Sequence, residues 1–305
     1  MLKGSKHKKW RSGKNKYSRT SKNNSASFLL IGLIFTSALI ALNNKSQVIP
    51  NKLPIQTPFH VVNLDSDYSQ KTLEVDNNDN QSIIIGSVDD LKSTDFNKID
   101  NYASSVHYNG ISVFELASLL SRYTKTEAEK ARIIYSWITY NITYDVSAFL
   151  SGDYRNLNTQ EILKTRTGVC SGFASLYKDL AKAMGLDVVV VDGYAKGYGY
   201  VGNTTEINHA WNAVKINNKW YLLDSTWGAG NINTGQFNRQ FNPYYFATPP
   251  SQFILDHFPV KSKWQLLENN YTKQQFDTTP KISPDFFKDG LQLVSHHHHT
   301  CEFNN

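Results

Sequence analysis

The chain has 305 residues, of which 40% are hydrophobic and 13% aromatic, so it can bury at least one sizeable core. Its formal charge is +6, but nine of its 32 basic side chains lie in residues 1–24, which contain no acidic residue. The rest has 23 basic and 26 acidic side chains, which argues against a nucleic-acid partner. With two cysteines, the chain cannot build a disulfide framework.

The N-terminal sequence predicts a membrane segment. Residues 25–42, SASFLLIGLIFTSALIAL, carry no charge and follow the basic run directly. Their most apolar part, residues 28–42, is shorter than the ~20 residues that span a bilayer and longer than many signal-peptide cores. Because no clear A-x-A cleavage site follows, we expect an uncleaved signal anchor, with residues 1–24 as a basic cytoplasmic tail and the remainder outside. A cleaved signal peptide and secretion are the alternative.

Residues 43–94 predict a disordered stalk, because they are rich in Asn, Ser, Asp and Gln and have no sustained hydrophobic period. The segment QSIIIGSV could add a short strand there. Helical patterns begin after about residue 95. We predict helices over SVFELASLLSRY, where Ser112 and Glu115 have capping-box spacing, over TEAEKARIIYSWITYNI, and over NTQEILKT, with Asn158 before it and an end at Gly168.

Strands dominate the sequence after residue 186. The runs DVVVVDGYAKG, HAWNAVKI and KWYLLDSTW each favour a strand, and the last two read as a hairpin. Helices followed by neighbouring strands predict an α+β domain with a mainly antiparallel sheet. We place this domain at residues 95–294 and a His-rich tail at residues 295–305.

Cys170 lies in TRTGVCSGFASLYKDLAKAMGL, between a glycine and a predicted amphipathic helix that Gly185 would end. At a helix N-terminus, free N–H groups and the positive end of the dipole stabilise a thiolate. Cys170 is therefore a candidate nucleophile. A buried structural thiol and a lone bridge with Cys301 are the alternatives.

A cysteine nucleophile needs a base, and the base needs an orienting group. If Asn217 and Asn218 form a two-residue turn, strand pairing sets His209 opposite Thr226, and Asp224 projects to the same face within reach of a hydrogen bond. A solvated edge histidine and an aspartate that ends its strand are the plainer readings. Most of the aromatic residues around this hairpin are expected to be core, although they could line a cleft.

Cys170, His209 and Asp224 follow the Cys, His, Asp order of papain-like and transglutaminase-like enzymes. The blocks GVCSGFASLYKDLAKAMGL, VVDGYAKG, NHAWNAVKINNKWYLLDSTWGAG and FATPPSQFILDHFPVKSKWQLL resemble the transglutaminase-like superfamily, in particular its kyphoscoliosis-peptidase-like branch. The resemblance implies a papain-like/transglutaminase-like core, with a nucleophile helix packed on the sheet. It also implies that Cys170 is the nucleophile, His209 the base and Asp224 the orienting acid.

The resulting prediction is a cysteine enzyme that performs acyl transfer or hydrolysis on amide bonds of peptide or protein substrates through a thioester. The alternative is a non-catalytic, membrane-tethered binding module that uses the same cleft. We expect no cofactor. We also expect no metal site, because the run His296 to His299 and Cys301 lack the separated spacing of a closed zinc site.

Overall fold

The structure is a computed structural model that describes residues 83–91, 94–152, 158–202 and 204–291. All of these residues fall in one compact unit, Gln56–Asn305. Its α-helices, in chain order, are α1 (Phe96–Ser105), α2 (Val113–Ser121), α3 (Glu127–Asn141), α4 (Val146–Ser151), α5 (Thr159–Thr165), α6 (Cys170–Ala183), α7 (Ser225–Ala229), α8 (Pro250–Phe253), α9 (Lys273–Thr278) and α10 (Pro284–Lys288). Short 3-10 helices cover Val88–Leu91, Pro243–Tyr245 and Ser262–Gln265.

Capping side chains start three of the four helices that the sequence predicted. Ser112, Thr126 and Asn158 each accept a hydrogen bond from the backbone N–H three residues later, which satisfies a donor that the first helical turn leaves free. Helix α5, however, ends at Thr165 and not at Gly168 as expected. Arg166 adopts a left-handed conformation that closes the helix, and Gly168 already belongs to a strand.

The strands, in chain order, are β1 (Thr143–Tyr144), β2 (Thr167–Gly168), β3 (Val188–Ala195), β4 (His209–Ile216), β5 (Lys219–Leu223), β6 (Gly230–Asn233), β7 (Gln236–Arg239), β8 (Phe246–Thr248) and β9 (His257–Pro259). The main sheet has the order β8-β5-β4-β3-β9, and every neighbouring pair in it is antiparallel. Strands β1 and β2 form a short parallel pair, and β6 with β7 forms a hairpin. The predicted α+β class with an antiparallel sheet is confirmed.

The β4–β5 hairpin has the predicted register. Asn217 and Asn218 both have positive φ, at 50° and 65°, which is the conformation of a two-residue type I′ turn. The turn pairs Ile216 with Lys219 and carries the register down to Asn212 and Leu223. This even-length turn fixes which side chains of the two strands share a face.

Strand β5 is shorter than the predicted run KWYLLDSTW. It ends at Leu223, and the chain turns at once into helix α7. Asp224 causes this change, because its Oδ1 accepts the backbone N–H groups of Thr226 and Trp227 and so caps the new helix. Thr226 therefore lies in a helix and is not the strand partner of His209.

The hydrophobic core joins the helices to the main sheet. Helix α3 is buried along most of its length, and α6 packs between it and strands β3 and β4. The largest side chains that are fully buried come from these elements and include Trp137, Tyr135, Tyr177, Phe173 and Trp211. Helix α6 is thus held rigidly against the strand that begins with His209.

The folded domain begins before residue 95, the boundary expected from the sequence, because residues 83–91 pack on it. Ile85 forms a parallel bridge with Trp220 of β5, flanked by backbone hydrogen bonds of 2.8 and 2.9 Å, and Leu91 is buried in the core. The end of the predicted stalk is therefore part of the domain, because its isoleucine run adds backbone pairing at the sheet. Residues 43–82 of that prediction lie outside the described residues.

Within the part of the chain that the structure describes, no helix combines the length and apolar character needed to cross a membrane. The predicted tail over residues 1–24, the hydrophobic segment over 25–42 and the His-rich tail over 295–305 lie outside that part.

Candidate active site

Cys170 is the first residue of helix α6, as predicted. The preceding residue, Val169, has no side chain that can cap the helix. The N–H groups of the first turn therefore have no side-chain partner at the N-cap. The thiol is free and partly exposed. Gly172, one half-turn on, lets Ile162 of α5 approach so closely that an added Cβ would lie 3.0 Å from its Cδ1.

Asn212 ties the cysteine helix to the sheet. It is fully buried in β4, and its Nδ2 donates to the carbonyl of Ala174 in α6 at 3.0 Å and to that of Val189 in β3 at 3.2 Å. The bond to α6 is formed from the same strand that carries His209. The relative position of thiol and imidazole is therefore fixed by a polar contact as well as by packing.

His209 and Asp224 form the predicted hydrogen bond. Nε2 of His209 lies 2.7 Å from Oδ2 of Asp224, and both side chains are buried. Because a carboxylate only accepts, Nε2 carries the proton and donates it. Nδ1 is the ring nitrogen that Asp224 does not engage, and the Cys170 thiol lies near enough to this ring to help raise the pKa of His209. The structure thus brings the three predicted residues together.

The charges in this array stabilise the protonated imidazole. Burial disfavours the charged ring, but the Asp224 carboxylate, its hydrogen bond and the Cys170 thiol outweigh burial and raise the pKa of His209 to about 10. Burial likewise opposes the charge on Asp224, yet His209 and then His257 hold the pKa of Asp224 below its ordinary value. An imidazolium next to a thiol is the arrangement that stabilises a thiolate.

Asp224 has two structural roles. Oδ2 serves His209, while Oδ1 accepts from the N–H of Thr226 at 2.7 Å and from that of Trp227 at 3.1 Å. Both readings of Asp224 from the sequence are therefore true at once: it ends its strand and it faces the histidine. The helix cap holds the carboxylate plane still while the other oxygen binds the ring.

His257 belongs to the same array, and the sequence reasoning gave it no role. It begins β9, is fully buried, and its Nε2 lies 3.0 Å from Oδ2 of Asp224. Its Nδ1 lies 2.5 Å from Oδ1 of Asp256. The available signal was a histidine beside an aspartate in an otherwise apolar segment, FILDHFP. That signal does not say which strand β9 joins.

Aromatic rings surround the two histidines. The centroid of Trp227 lies 5.6 Å from His209 and 4.4 Å from His257, while Trp211 lies 6.0 and 5.1 Å from the same two rings. Phe253 stacks on His257 at 4.1 Å. Trp211 and Phe253 are core residues, as expected for most of this cluster, and Trp227 is partly exposed beside the site.

Among the described residues, one group has the composition of a possible metal site: His209, Asp224 and His257, whose ligand atoms lie within 4.8 Å of one another. The same Nε2 atoms of both histidines already point their protons at Oδ2 of Asp224. A metal ion would have to replace both hydrogen bonds. The donor set therefore fits proton transfer better than metal binding.

Comparison with known proteins places this geometry in context. Residues 115–225 match the Transglutaminase-like superfamily. The chain is 36% identical over 201 residues to kyphoscoliosis peptidase from Homo sapiens, which covers 64% of this chain and 30% of that protein. It is 28% identical over 219 residues to hillarin from Drosophila melanogaster, covering 66% of this chain and 26% of that protein.

The chain thus spans about 30% of the length of the human relative. Among solved structures it is distantly similar to a TGase, at 19% identity and a TM-score of 0.31, over 50% of this chain and 37% of that one. The resemblance inferred from the cysteine and histidine blocks is confirmed at the level of the superfamily, and the catalytic roles of Cys170, His209 and Asp224 stay predictions.

Proposed function

This chain belongs to the transglutaminase-like superfamily, and we propose that its domain is a cysteine enzyme that performs acyl transfer or hydrolysis on amide bonds of peptides or proteins. The observation that carries the proposal is the buried hydrogen bond between His209 and Asp224, on an imidazole whose pKa the nearby Cys170 thiol helps to raise. Cys170 starts a helix whose first turn has no side-chain cap.

The first half of the proposed reaction forms a thioester. The Cys170 sulfur attacks the amide carbonyl carbon, and the carbonyl electron pair moves to oxygen, where the backbone N–H of Cys170 stabilises the negative charge. The C–N bond then breaks, and the His209 imidazolium gives its Nδ1 proton to the leaving nitrogen. Asp224 keeps Nε2 protonated throughout, so that Nδ1 is the nitrogen that exchanges the proton.

The second half releases the acyl group. The neutral His209 takes a proton from water or from an amine, the new nucleophile attacks the thioester carbonyl, and the Cys170 thiolate leaves. Water yields a carboxylic acid, whereas an amine yields a new amide. The human relative is called a peptidase, which favours hydrolysis of a peptide bond as the reaction of this chain. The proton transfers are the same for water and for an amine.

Labelling of the cysteines tests the proposal without a known substrate. With iodoacetamide at pH 6 to 7, Cys170 should react at least ~10-fold faster than Cys301, because a thiolate reacts and an ordinary thiol, with a pKa of about 8.5, is mostly protonated there. Cys170→Ala should remove the fast phase and all amide turnover, while Cys301→Ala should leave both. Equal, slow labelling of the two cysteines would instead indicate a binding module.

The acceptor is tested by mass spectrometry of a glutamine-containing peptide incubated with and without a primary amine. A mass increase that corresponds to loss of ammonia and gain of the amine identifies transfer. Cleavage of the peptide chain, or conversion of glutamine to glutamate, identifies hydrolysis. No change in either mixture, with Cys170 fully reactive, would restrict the enzyme to other substrates.

We further propose that residues 25–42 tether the domain to a membrane, with the domain on the outer side. The support is the uncharged run itself and the basic residues 1–24 before it. Carbonate extraction of membranes tests this, since a tethered protein stays with the lipid and a secreted one is found in the medium. Recovery from the soluble cell extract would contradict the proposal.

A further inference from the structure

We propose that His257 is a positioning residue that, as a buried cation held between Asp256 and Asp224, fixes the carboxylate that orients His209 and keeps it ionised. This inference rests on the function proposed above and extends its array from three residues to five. The hydrogen bonds of His257 go to Asp224 and Asp256, so its effect on His209 is exerted through Asp224.

His257 and His209 bind the same carboxylate oxygen of Asp224. Oδ2 of Asp224 is shared by Nε2 of His209 at 2.7 Å and Nε2 of His257 at 3.0 Å. Oδ1 is used by the helix cap. His257 supplies the hydrogen bond that approaches the carboxylate from β9, an edge strand of the sheet.

The charge of His257 follows from its partners. Each ring nitrogen faces a carboxylate oxygen, Asp224 at 3.0 Å and Asp256 at 2.5 Å. Carboxylates accept and do not donate, so the ring satisfies both of them when both nitrogens carry protons. A neutral histidine would leave one buried carboxylate facing a lone pair, which is costly in a site that excludes water.

The aromatic rings around His257 favour the same charge. Phe253 stacks on it at a centroid distance of 4.1 Å, Trp227 lies at 4.4 Å and Trp211 at 5.1 Å. Aromatic faces attract cations within about 6 Å, and more strongly where water is absent. Phe253 is stacked on the His257 ring at an interplanar angle of 19°, Trp227 and Trp211 are inclined to it at 57° and 80°, and the two carboxylates meet it at its nitrogens.

The other titratable groups near His257 are few, and each comes from a different element. His209 lies in β4, with its ring centroid 5.4 Å away, and Tyr245, from the 3-10 helix before β8, lies at 6.1 Å. Lys196, at the end of β3, interacts with Asp256, and Lys281 lies over the outer part of Trp227. Cys170 acts on the array through His209.

The consequence for the thiol has a definite sign. A positive charge beside Asp224 makes its carboxylate harder to protonate, and a positive charge near the site also favours a thiolate. Removal of the His257 charge should therefore raise the pH at which Cys170 becomes reactive at the acid end of its profile. Loss of the hydrogen bond should in addition loosen the carboxylate, which lowers turnover without changing substrate binding.

Three variants separate these effects. His257→Gln keeps an N–H donor toward Asp224 but has no charge, His257→Phe has neither, and Asp256→Asn removes the carboxylate behind the ring. His107→Gln is the matched control, since His107 is exposed and contacts only a nearby backbone carbonyl among its recorded hydrogen bonds. The rate of Cys170 alkylation by iodoacetamide is measured from pH 4 to 9, with Cys301 replaced by alanine.

We expect the acid midpoint of this profile to rise by about 0.5 to 1 pH unit in His257→Gln and in Asp256→Asn, and further in His257→Phe. The double variant of His257→Gln and Asp256→Asn should shift the midpoint no more than the larger single change, because the two act as a unit. With any peptide that is turned over, kcat should fall about 10- to 100-fold, as for residues that orient a reacting group, at unchanged KM.

The outcomes are distinct. An acid midpoint in His257→Gln equal to that of the unchanged protein, with Cys170 still fast, overturns the role of His257 and leaves the proposed function standing. A Cys170 that reacts as slowly as Cys301 in the unchanged protein overturns the proposed function itself. If His257→Phe does not fold, the role of His257 is still tested by His257→Gln and Asp256→Asn. Both of these variants conserve hydrogen-bonding atoms.

Discussion

Asp224 binds His209 with one carboxylate oxygen, at 2.7 Å, and caps helix α7 with the other. The orientation of the imidazole and the start of the helix therefore depend on a single side chain. Replacing Asp224 by alanine and replacing it by asparagine should therefore have different effects on stability.

Asp224→Ala should lower the free energy of unfolding by roughly 3–5 kcal/mol, because it leaves two buried histidines without their carboxylate and removes a helix cap. Asp224→Asn retains an oxygen for the cap and should lose clearly less stability. Its reactivity should still fall at least ~100-fold, since an amide cannot hold both rings in the correct tautomer. Denaturant titration and Cys170 alkylation measure the two effects, and Asp187→Asn, on an exposed aspartate, is the control. Equal stability of the alanine and asparagine variants would disprove the double role.

The stability of the domain should fall as the pH rises from about 6.5 to about 10. The pKa of His209 in the folded state is raised to about 10 against an ordinary value of 6.5, so the folded protein holds a proton that the unfolded chain releases. The stabilisation is complete below pH 6.5 and is lost through the folded pKa. The slope contributed is about 1.4 kcal/mol per pH unit at most. Denaturant titration at pH 6 to 10 should show the decline, and His209→Gln should lack it.

At low pH, Asp224 makes the stability of the domain change with pH in the opposite direction. The pKa of Asp224 lies below its ordinary value of 3.8, held there by His209 and His257 against the effect of burial. Its contribution to stability is therefore present above that value and is lost as the pH falls. Acid unfolding of Asp224→Asn should consequently show a shallower dependence on pH than that of the unchanged protein.

Gly193→Ala should disturb the site from within the sheet. Gly193 lies opposite His209 of β4 on one side and opposite Pro259 of β9 on the other. An added Cβ would lie 2.3 Å from the carbonyl oxygen of Phe258 and 2.4 Å from the Trp211 ring, so the strand with His257 must move. We expect a loss of about 1–3 kcal/mol in stability and slower Cys170 alkylation. Gly168→Ala, whose Cβ would meet its nearest atoms at 3.8 Å, serves as the comparison for stability.

Asp100→Ala should destabilise the domain while sparing the chemistry. Asp100 of α1 accepts two hydrogen bonds of 2.8 Å from Arg132 of α3 and one of 2.5 Å from Ser136, all buried. Loss of the carboxylate leaves a buried guanidinium unpaired, at a cost of roughly 3–5 kcal/mol. Lys98→Ala, which breaks an exposed pair in the same helix, should change stability by less than about 1 kcal/mol. Per folded molecule, the Cys170 alkylation rate should be unchanged in both.

Local chemistry made much of this structure predictable. The caps at Ser112, Thr126 and Asn158 mark helix starts through contacts only three residues long. The Asn217–Asn218 turn fixes the hairpin register by backbone conformation alone. These features need no knowledge of the tertiary fold, and the predicted contact between His209 and Asp224 followed from the hairpin register.

The part of the site that was missed depends on distant contacts. His257 joins from β9, which pairs with β3 across the sheet from β5, and strand order of this kind is not encoded in any short segment. The sequence offered the end of the strand at Asp224 as one reading, but the helix that Asp224 caps was missed for a different reason. Its carboxylate can cap a helix or face a strand neighbour, and only the folded chain shows that it does both.

Strand β9 enters the sheet beside β3, although β4 to β8 lie between them in the chain. Closing so long a loop is entropically slow compared with forming the β4–β5 hairpin. We therefore expect the β4–β5 hairpin to form before β9 docks. If the array tunes the thiol as proposed, full reactivity of Cys170 would emerge only at completion of folding.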